Sequence, residues 1–108
     1  MEIKILTAAT QQGRLAIEEV MQHSYVADVD SVPAQWTIAR VADDVPVSFI
    51  VVDPDRQMEF PGGDVRYAFI CDVATREDRR GEGHFRAMME HVFSSLRTAG
   101  VPLVLTHG

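Results

Sequence analysis

The sequence predicts an α+β fold with a mixed sheet, in the order β-α-β-β-β-α-β. Three observations support this prediction. Five segments have strand-like alternation or unbroken apolar runs, and two others repeat apolar residues at helical spacing. Three consecutive strands joined by turns favour an antiparallel meander. The second helix connects two strands, so the last strand should lie parallel to the strand that precedes this helix.

Length, composition and charge limit the class of protein. The 108 residues, 46% of them hydrophobic, are predicted to form one domain over residues 1–108. The one cysteine, Cys71, excludes an internal disulfide, favours a reducing cytoplasmic setting and is interpreted as a small buried hydrophobe. The sequence shows neither a signal sequence nor an apolar run of membrane-spanning length. A net charge of -6 disfavours nucleic-acid binding and suits a cationic substrate.

The N-terminal part of the chain predicts a strand, a helix and a loop. Residues Glu2–Ala8 alternate as a strand, and the hydroxyl of Thr10 can cap the helix that follows. One face of this helix is apolar, with Ile17, Val20 and Met21 at helical spacing. The helix is expected to end near residues 23–25, and residues 27–35 are predicted to form a loop.

The middle of the chain predicts the three strands of the meander. Trp36–Ala42 and Pro46–Val52 are joined at an acidic pair of residues, and Pro46 is acceptable because it starts its strand. Residues 53–64 are predicted to form a long turn, since Gly62 and its glycine neighbour favour a chain reversal. The third strand is expected at Val65–Ala74.

The C-terminal part predicts a helix and a last strand. After Gly83, apolar residues recur with the spacing of one continuous helical face. They are Phe85, Met88, Met89, Val92, Phe93 and Leu96. Gly100 ends the helix, and residues 101–108 are predicted to form the last strand.

Residues Arg79–His84 lie between the third strand and the second helix, and we call this segment the glycine loop. It is the part of the chain whose residues suggest a binding function. A helix that starts after such a turn presents free N–H groups and a positive dipole end, which together bind anions. Gly81 and Gly83 would let the backbone approach an anion closely, and two arginines add positive charge. None of the residues of the first helical turn is a capping acceptor.

Two common phosphate motifs do not fit the glycine loop. A P-loop requires Gly-Lys, which is absent from the chain, and a dinucleotide fingerprint would need a third glycine where Arg86 stands. A G-x-G before an amphipathic helix is in itself a weak signal. From these residues alone, an anion site and an ordinary helix start both stay open.

The segment from Val73 onward, VATREDRRGEGHFRAMMEHVF, resembles motif A of the GCN5-related N-acetyltransferase (GNAT) family. That motif is a strand, then R/Q-x-x-G-x-G/A, then a helix. Arg80 and Gly83 match its first two fixed positions, Gly81 takes the place of a frequent extra glycine, and Phe85 stands where the pattern has glycine or alanine. Earlier segments are similar to the first strand, first helix and hairpin of the family. RRGEGHFRAMM also looks like the acetyltransferase part of the enhanced-intracellular-survival type.

The resemblance implies a fold, a cosubstrate and a set of binding residues. It implies transfer of an acetyl group from acetyl-CoA to an amine of a small molecule or a lysine. The backbone of Val73 and Thr75 would pair with the pantetheine arm, in a wedge beside the strand at 103–105. Arg79 and Arg80 would screen the phosphates. The pyrophosphate would lie on the amides of Arg80, Gly81, Glu82, Gly83 and His84.

Candidate catalytic groups are few, and no metal-binding residues are assigned. Asp72, beside the expected thioester, is the candidate base, and a solvent-facing structural carboxylate is the alternative. The His84 side chain is interpreted as a loop residue near the phosphates. Tyr25 and Tyr67 are candidate acids, and no general acid is assigned.

The family continues past its equivalent of the last strand with another helix and further strands. The sequence therefore suggests a truncated chain, part of a longer protein, or a naturally short relative that pairs with a second copy. An apolar edge strand at the terminus favours a homodimer. Two classes of function stay open: an N-acetyltransferase, or a non-catalytic CoA-binding or dimerisation module derived from a truncated acetyltransferase.

Overall fold

A computed structural model describes residues 2–22 and 34–106, and within them the predicted order β-α-β-β-β-α-β is confirmed. The elements are β1 (Ile3–Thr7), α1 (Gln11–Gln22), β2 (Thr37–Ala42), β3 (Val45–Phe60), β4 (Gly63–Thr75), α2 (His84–Thr98) and β5 (Val104–Thr106). Short 3-10 turns precede β2 and follow β4. The expected end of the first helix near residues 23–25, the candidate acid Tyr25 and most of the predicted loop lie outside the described residues.

The five strands form one sheet in the order β1-β2-β3-β4-β5. Strands β1 to β4 pair antiparallel, and β5 pairs parallel to β4, with Ala68 opposite Val104. This is the predicted meander followed by a helical crossover to a parallel strand. The crossover brings the start of α2 to the end of β4.

The hairpin of β3 and β4 is much longer than predicted. The prediction of a long turn at residues 53–64 was wrong, because most of these residues continue the two strands as far as the pair Phe60 and Gly63. A register shift between Asp53 and Arg56 absorbs Pro54, whose nitrogen cannot donate to a ladder. The Arg56 guanidinium lies 4.3 Å from the centre of the Phe69 ring.

A second irregularity lies in β4 at Cys71. Val51 pairs with Asp72 but Val52 pairs with Ile70, so Cys71 is the extra residue of a β-bulge. A bulge bends its strand and increases the local twist. The last residues of β4, which lie next to α2, are therefore turned relative to the rest of the strand.

Each face of the sheet is covered by one helix. Ile17 and Val20 of α1 pack with Phe49 and Val51 on one face, and Met88 and other residues of α2 pack with Ile50 on the other. The Gly13 amide donates to the Thr10 hydroxyl over 3.0 Å, which confirms the predicted cap. Neither helix in the described part of the chain is long and apolar enough to cross a membrane.

The buried stripe of α2 differs from the predicted one. It runs through His84, Met88, Val92 and Leu96, while Phe85 and another predicted face residue, Phe93, are 52% and 41% exposed. The predicted apolar face was too wide, because the fully buried residues form one row with a spacing of four, and Met89 beside it is only partly buried. A histidine takes the first position of that row.

Gly13 allows α1 to dock closely on the end of β1. A Cβ atom built on Gly13 would overlap the backbone of Thr7. We predict that Gly13→Ala lowers the free energy of unfolding by more than about 2 kcal/mol, because the backbone there cannot move aside without undocking the helix. Denaturant unfolding measures the change. In the control Gly62→Ala, the added Cβ meets no atom within 4 Å, so a change below about 0.5 kcal/mol is expected. Equal losses in the two variants would contradict the close docking.

Candidate functional site

A cleft of about 580 Å³ lies between the end of β4 and the start of α2. It is lined by Val73, Ala74, Thr75, Arg80, Gly81, Gly83, Phe85 and Arg86. Five of these residues are ones for which the sequence predicted a binding role. The structure thus brings the strand residues and the glycine loop together at one place.

The strand side of the cleft presents backbone hydrogen-bonding groups. The Arg76 amide donates to the Val47 carbonyl over 2.7 Å, and residues opposite each other in antiparallel strands alternate between hydrogen-bonded and non-hydrogen-bonded pairs. By this alternation, Val73 and Thr75 belong to non-hydrogen-bonded pairs with β3. Their N–H and C=O groups therefore point away from β3, toward the far edge of β4.

That edge of β4 is only partly covered by β5. The pairing of the two strands extends from Ala68 with Val104 to Ile70 with Thr106, whereas β4 continues to Thr75. Within residues 2–22 and 34–106, no strand pairs with the far edge of β4 beyond Ile70. An extended molecule bearing amide groups could add to this edge as a strand would.

The helix side of the cleft is an N-terminus without a side-chain cap. Gly83 is the N-cap residue and, as a glycine, has no side chain that could accept a hydrogen bond from the first turn of α2. Gly81 and Gly83 have φ angles of 86° and 85°, in the left-handed region that favours glycine. The free amides and the positive end of the helix dipole suit an anion.

Three arginines in or next to the glycine loop differ in whether a carboxylate already forms an ion pair with them. The Arg79 Nε donates to both carboxylate oxygens of Glu82, at 2.9 and 3.1 Å. Arg86 lies 3.3 Å from Glu90 in an exposed pair. Arg80 is exposed, lines the cleft and has no ion pair with any residue of the described chain. Of the two arginines predicted to screen phosphates, Arg80 is therefore the one with an uncommitted charge.

His84 occupies a buried position that the sequence did not predict. Its side chain is almost fully buried at the first residue of α2, whereas the sequence predicted a loop residue near the phosphates. The Arg40 Nε donates to His84 Nδ1 over 3.2 Å, and His84 Nε2 lies 2.8 Å from Glu82 Oε1. The hydrogen bond from His84, and then that from Arg79, lowers the pKa of Glu82 below its ordinary value.

Sequence reasoning missed Arg40 altogether. Arg40 is a lone charged residue in the apolar strand TIARVA, which is the signal that could have marked it. Opposite Arg40 in the sheet lies Ser48, and opposite Ser48 lies Thr75. The hydroxyls of Ser48 and Thr75 are buried without a hydrogen-bond partner among the described protein atoms. Thr75 itself is one of the residues that line the cleft.

The candidate catalytic residues lie at different distances along β4 from the cleft. Asp72 is half-buried, and its Oδ1 accepts a hydrogen bond of 2.8 Å from the Val73 amide, one of the groups that point away from β3. Tyr67 lies toward the long hairpin and does not line the cleft.

Burial raises the pKa of the half-buried Cys71 thiol, which keeps it protonated and unreactive. No cluster of three metal-ligating side chains occurs in residues 2–22 and 34–106.

The sequence matches one protein-family model, and the structure resembles those of known proteins. A family model described as an acetyltransferase (GNAT) domain matches residues 50–108. No curated protein matches the sequence.

Three solved structures illustrate the likeness of fold. They are an aminoglycoside 6'-N-acetyltransferase from Acinetobacter haemolyticus (TM-score 0.73, 9% identity), an aminoglycoside acetyltransferase from an uncultured soil metagenomic sample (0.70, 11%), and a GNAT family acetyltransferase from Brucella melitensis in complex with acetyl-CoA (0.69, 18%). The matches cover 100%, 99% and 96% of this chain and 79%, 76% and 75% of the respective neighbours. At such low identity, the likeness shows a shared fold.

The lowered pKa of Glu82 gives a pH-dependent prediction. The ionised carboxylate stabilises the fold at pH values above its ordinary pKa of 4.5, and this contribution is lost as the pH falls through the lower folded-state pKa. Wild type should therefore melt at a higher temperature than Glu82→Gln at pH 7, and the difference should vanish in acid. The control Glu59→Gln alters an exposed carboxylate without an ion pair in the described chain, so a much smaller difference is expected. A difference for Glu82→Gln that stays constant with pH would contradict the assignment.

Proposed function

The chain belongs to the GNAT acetyltransferase family, and we propose that it transfers the acetyl group of acetyl-CoA to an amine of a small molecule or of a lysine side chain. One observation carries the proposal: an uncapped helix N-terminus and a strand edge with outward-facing backbone groups meet in one cleft. The first suits a pyrophosphate and the second suits the amide-bearing pantetheine arm.

We propose the glycine loop as the pyrophosphate site. The amides of Arg80, Gly81, Glu82, Gly83 and His84 would hold the phosphate oxygens. The left-handed glycines support this assignment, because the turn they form has no Cβ atoms at Gly81 and Gly83 to block close approach. Arg80 would supply the main screening charge, and Arg79 would act more weakly because Glu82 already neutralises it.

The end of β4 is proposed to hold the pantetheine arm. Val73 and Thr75 would exchange backbone hydrogen bonds with its amides. Because the Val73 amide donates to Asp72, the arm and the Asp72 carboxylate are alternative partners for this amide. Binding of the arm would therefore free the carboxylate at the edge of the strand.

The proposed chemistry assigns one residue to proton transfer. The amine would attack the acetyl carbon of the thioester, so that the C–N bond forms, the C–S bond breaks and CoA leaves as its thiolate. Asp72, half-buried beside the strand edge, would accept the proton that the amine must lose. The net charge of -6 favours a cationic acceptor such as a polyamine or an aminoglycoside. We further propose a cytoplasmic location and a relationship to the enhanced-intracellular-survival type.

A second candidate function is a CoA-binding module without turnover. It is favoured by the composition of the cleft, because the lining residues within 2–22 and 34–106 include no carboxylate, tyrosine or histidine. Such a site can bind the cosubstrate through backbone groups and yet lack a group to protonate the departing thiolate. The two candidates make different predictions for the same titration.

The deciding experiment is calorimetric titration with acetyl-CoA, followed by a free-thiol assay with a panel of polyamines, aminoglycosides and lysine peptides. An acetyltransferase binds acetyl-CoA and releases CoA in proportion to an added amine. Binding without amine-dependent release supports the module. Absence of binding rejects both functions.

The role of the glycine loop can be tested by adding a side chain at Gly83. We predict that Gly83→Val weakens acetyl-CoA binding more than about 100-fold, because a side chain there would occupy the anion site and disturb its amides. Gly100→Val is the matched control. Gly100 also has a positive φ, of 77°, and open space around it, but it lies beyond the opposite end of α2. Similar affinities of the two variants would reject the loop as the site.

We also propose that the protein forms a homodimer through the β5 edge. Strand β5 is last in the sheet order, and Leu103, just before it, is 37% exposed. Leu103→Lys should shift the mass in light scattering from dimer to monomer. Leu15→Lys, at a 58% exposed position on α1, should leave the mass unchanged. A wild-type protein that is monomeric throughout would reject the dimer.

A further inference from the structure

His84 joins the sheet to the glycine loop through two side-chain contacts. It begins the buried row of α2 whose other members, Met88, Val92 and Leu96, are apolar. An apolar side chain would serve packing equally well at this position. Burial of an imidazole is tolerated because both ring nitrogens have partners, Arg40 on β2 and Glu82 in the glycine loop.

The partners determine where the ring carries its proton. A guanidinium can only donate hydrogen bonds, so Nδ1 of His84 must accept from Arg40 and carry no proton. The neutral ring then has its proton on Nε2, which donates to Glu82 over 2.8 Å. Arg40 thus fixes the tautomer that holds the carboxylate.

The Glu82 carboxylate must be held away from the loop amides, because Glu82 lies between the two glycines of an anion-binding turn. Both His84 and Arg79 hydrogen-bond its Oε1 atom, and Arg79 also reaches Oε2. Released from these contacts, an ionised carboxylate beside the helix N-terminus would be attracted to the same amides and the same positive dipole end as a phosphate. It would also repel the phosphate directly.

We propose that Arg40 and His84 are positioning residues of the glycine loop, which hold the Glu82 carboxylate away from the amides that receive the ligand phosphates. The inference rests on the proposed function, because the ligand is the pyrophosphate of acetyl-CoA. Neither side chain touches the ligand. They act through Glu82, and they make a glutamate compatible with an anion site.

Substitutions at His84 and Glu82 separate this role from a structural one. With CoA as the probe in calorimetry, His84→Leu should raise the dissociation constant roughly tenfold, because the hydrogen bond from the imidazole to the carboxylate is lost and only Arg79 still holds Glu82. Adding Glu82→Gln to that variant should restore the constant to within about threefold of wild type, since no competing charge remains. His84→Gln, whose amide offers one acceptor and one donor, should also bind within about threefold.

A purely structural role would give a different pattern. His84→Leu would then lower the fraction of active protein without changing the dissociation constant, and Glu82→Gln would not rescue it. Either result overturns the proposal. If the leucine variant does not fold, Arg40→Met replaces it, with the same direction of change and the same rescue expected.

A measurement without ligand distinguishes failure of this inference from failure of the proposed function. The ¹⁵N chemical shifts of His84 should show an unprotonated Nδ1 and a protonated Nε2 at neutral pH. The opposite tautomer overturns the positioning role whatever the protein binds. If wild type does not bind CoA but shows the expected tautomer, the proposed function fails and the connection from Arg40 to Glu82 stands.

Discussion

Backbone groups left unpaired at two neighbouring chain segments are the constraint on which the rest of the site depends. The first turn of α2 has amides without a side-chain cap, and the end of β4 turns N–H and C=O groups away from its partner strand. Both sets face one cleft, where the Asp72 carboxylate accepts from the Val73 amide and a ligand or water can satisfy the others. A site made of backbone demands few particular side chains, which is compatible with a fold shared at 9% to 18% identity.

Packing of the core fixes the position of these two segments relative to each other. Apolar packing from Met88 to Leu96 holds α2 on the sheet, and the contacts of His84 fix its first turn over β2. On the strand side, the bulge at Cys71 turns the last residues of β4. The position of the cleft therefore follows from the core, while its charge is adjusted by three side chains, those of Arg79, Arg80 and Glu82.

Local patterns in the sequence predicted much of the fold and the backbone part of the site. Helix α2, its glycine start and the parallel last strand all follow from spacing within a few residues. The hairpin beyond Asp53 could not be recognised in the same way, because Pro54 interrupts its alternation and it has little buried face. The contact between Arg40 and His84 joins residues 44 apart in the chain, so no local pattern can reveal it.

The cleft between β4 and α2 is the proposed binding site of acetyl-CoA. Backbone amide signals in ¹H–¹⁵N spectra, followed during a CoA titration, test this proposal. Saturable shifts are expected, largest at Val73, Thr75 and the amides of the glycine loop. Absence of saturable shifts would contradict it. So would shifts centred on the separate groove between α2 and β2, which Trp36 and His91 help to line.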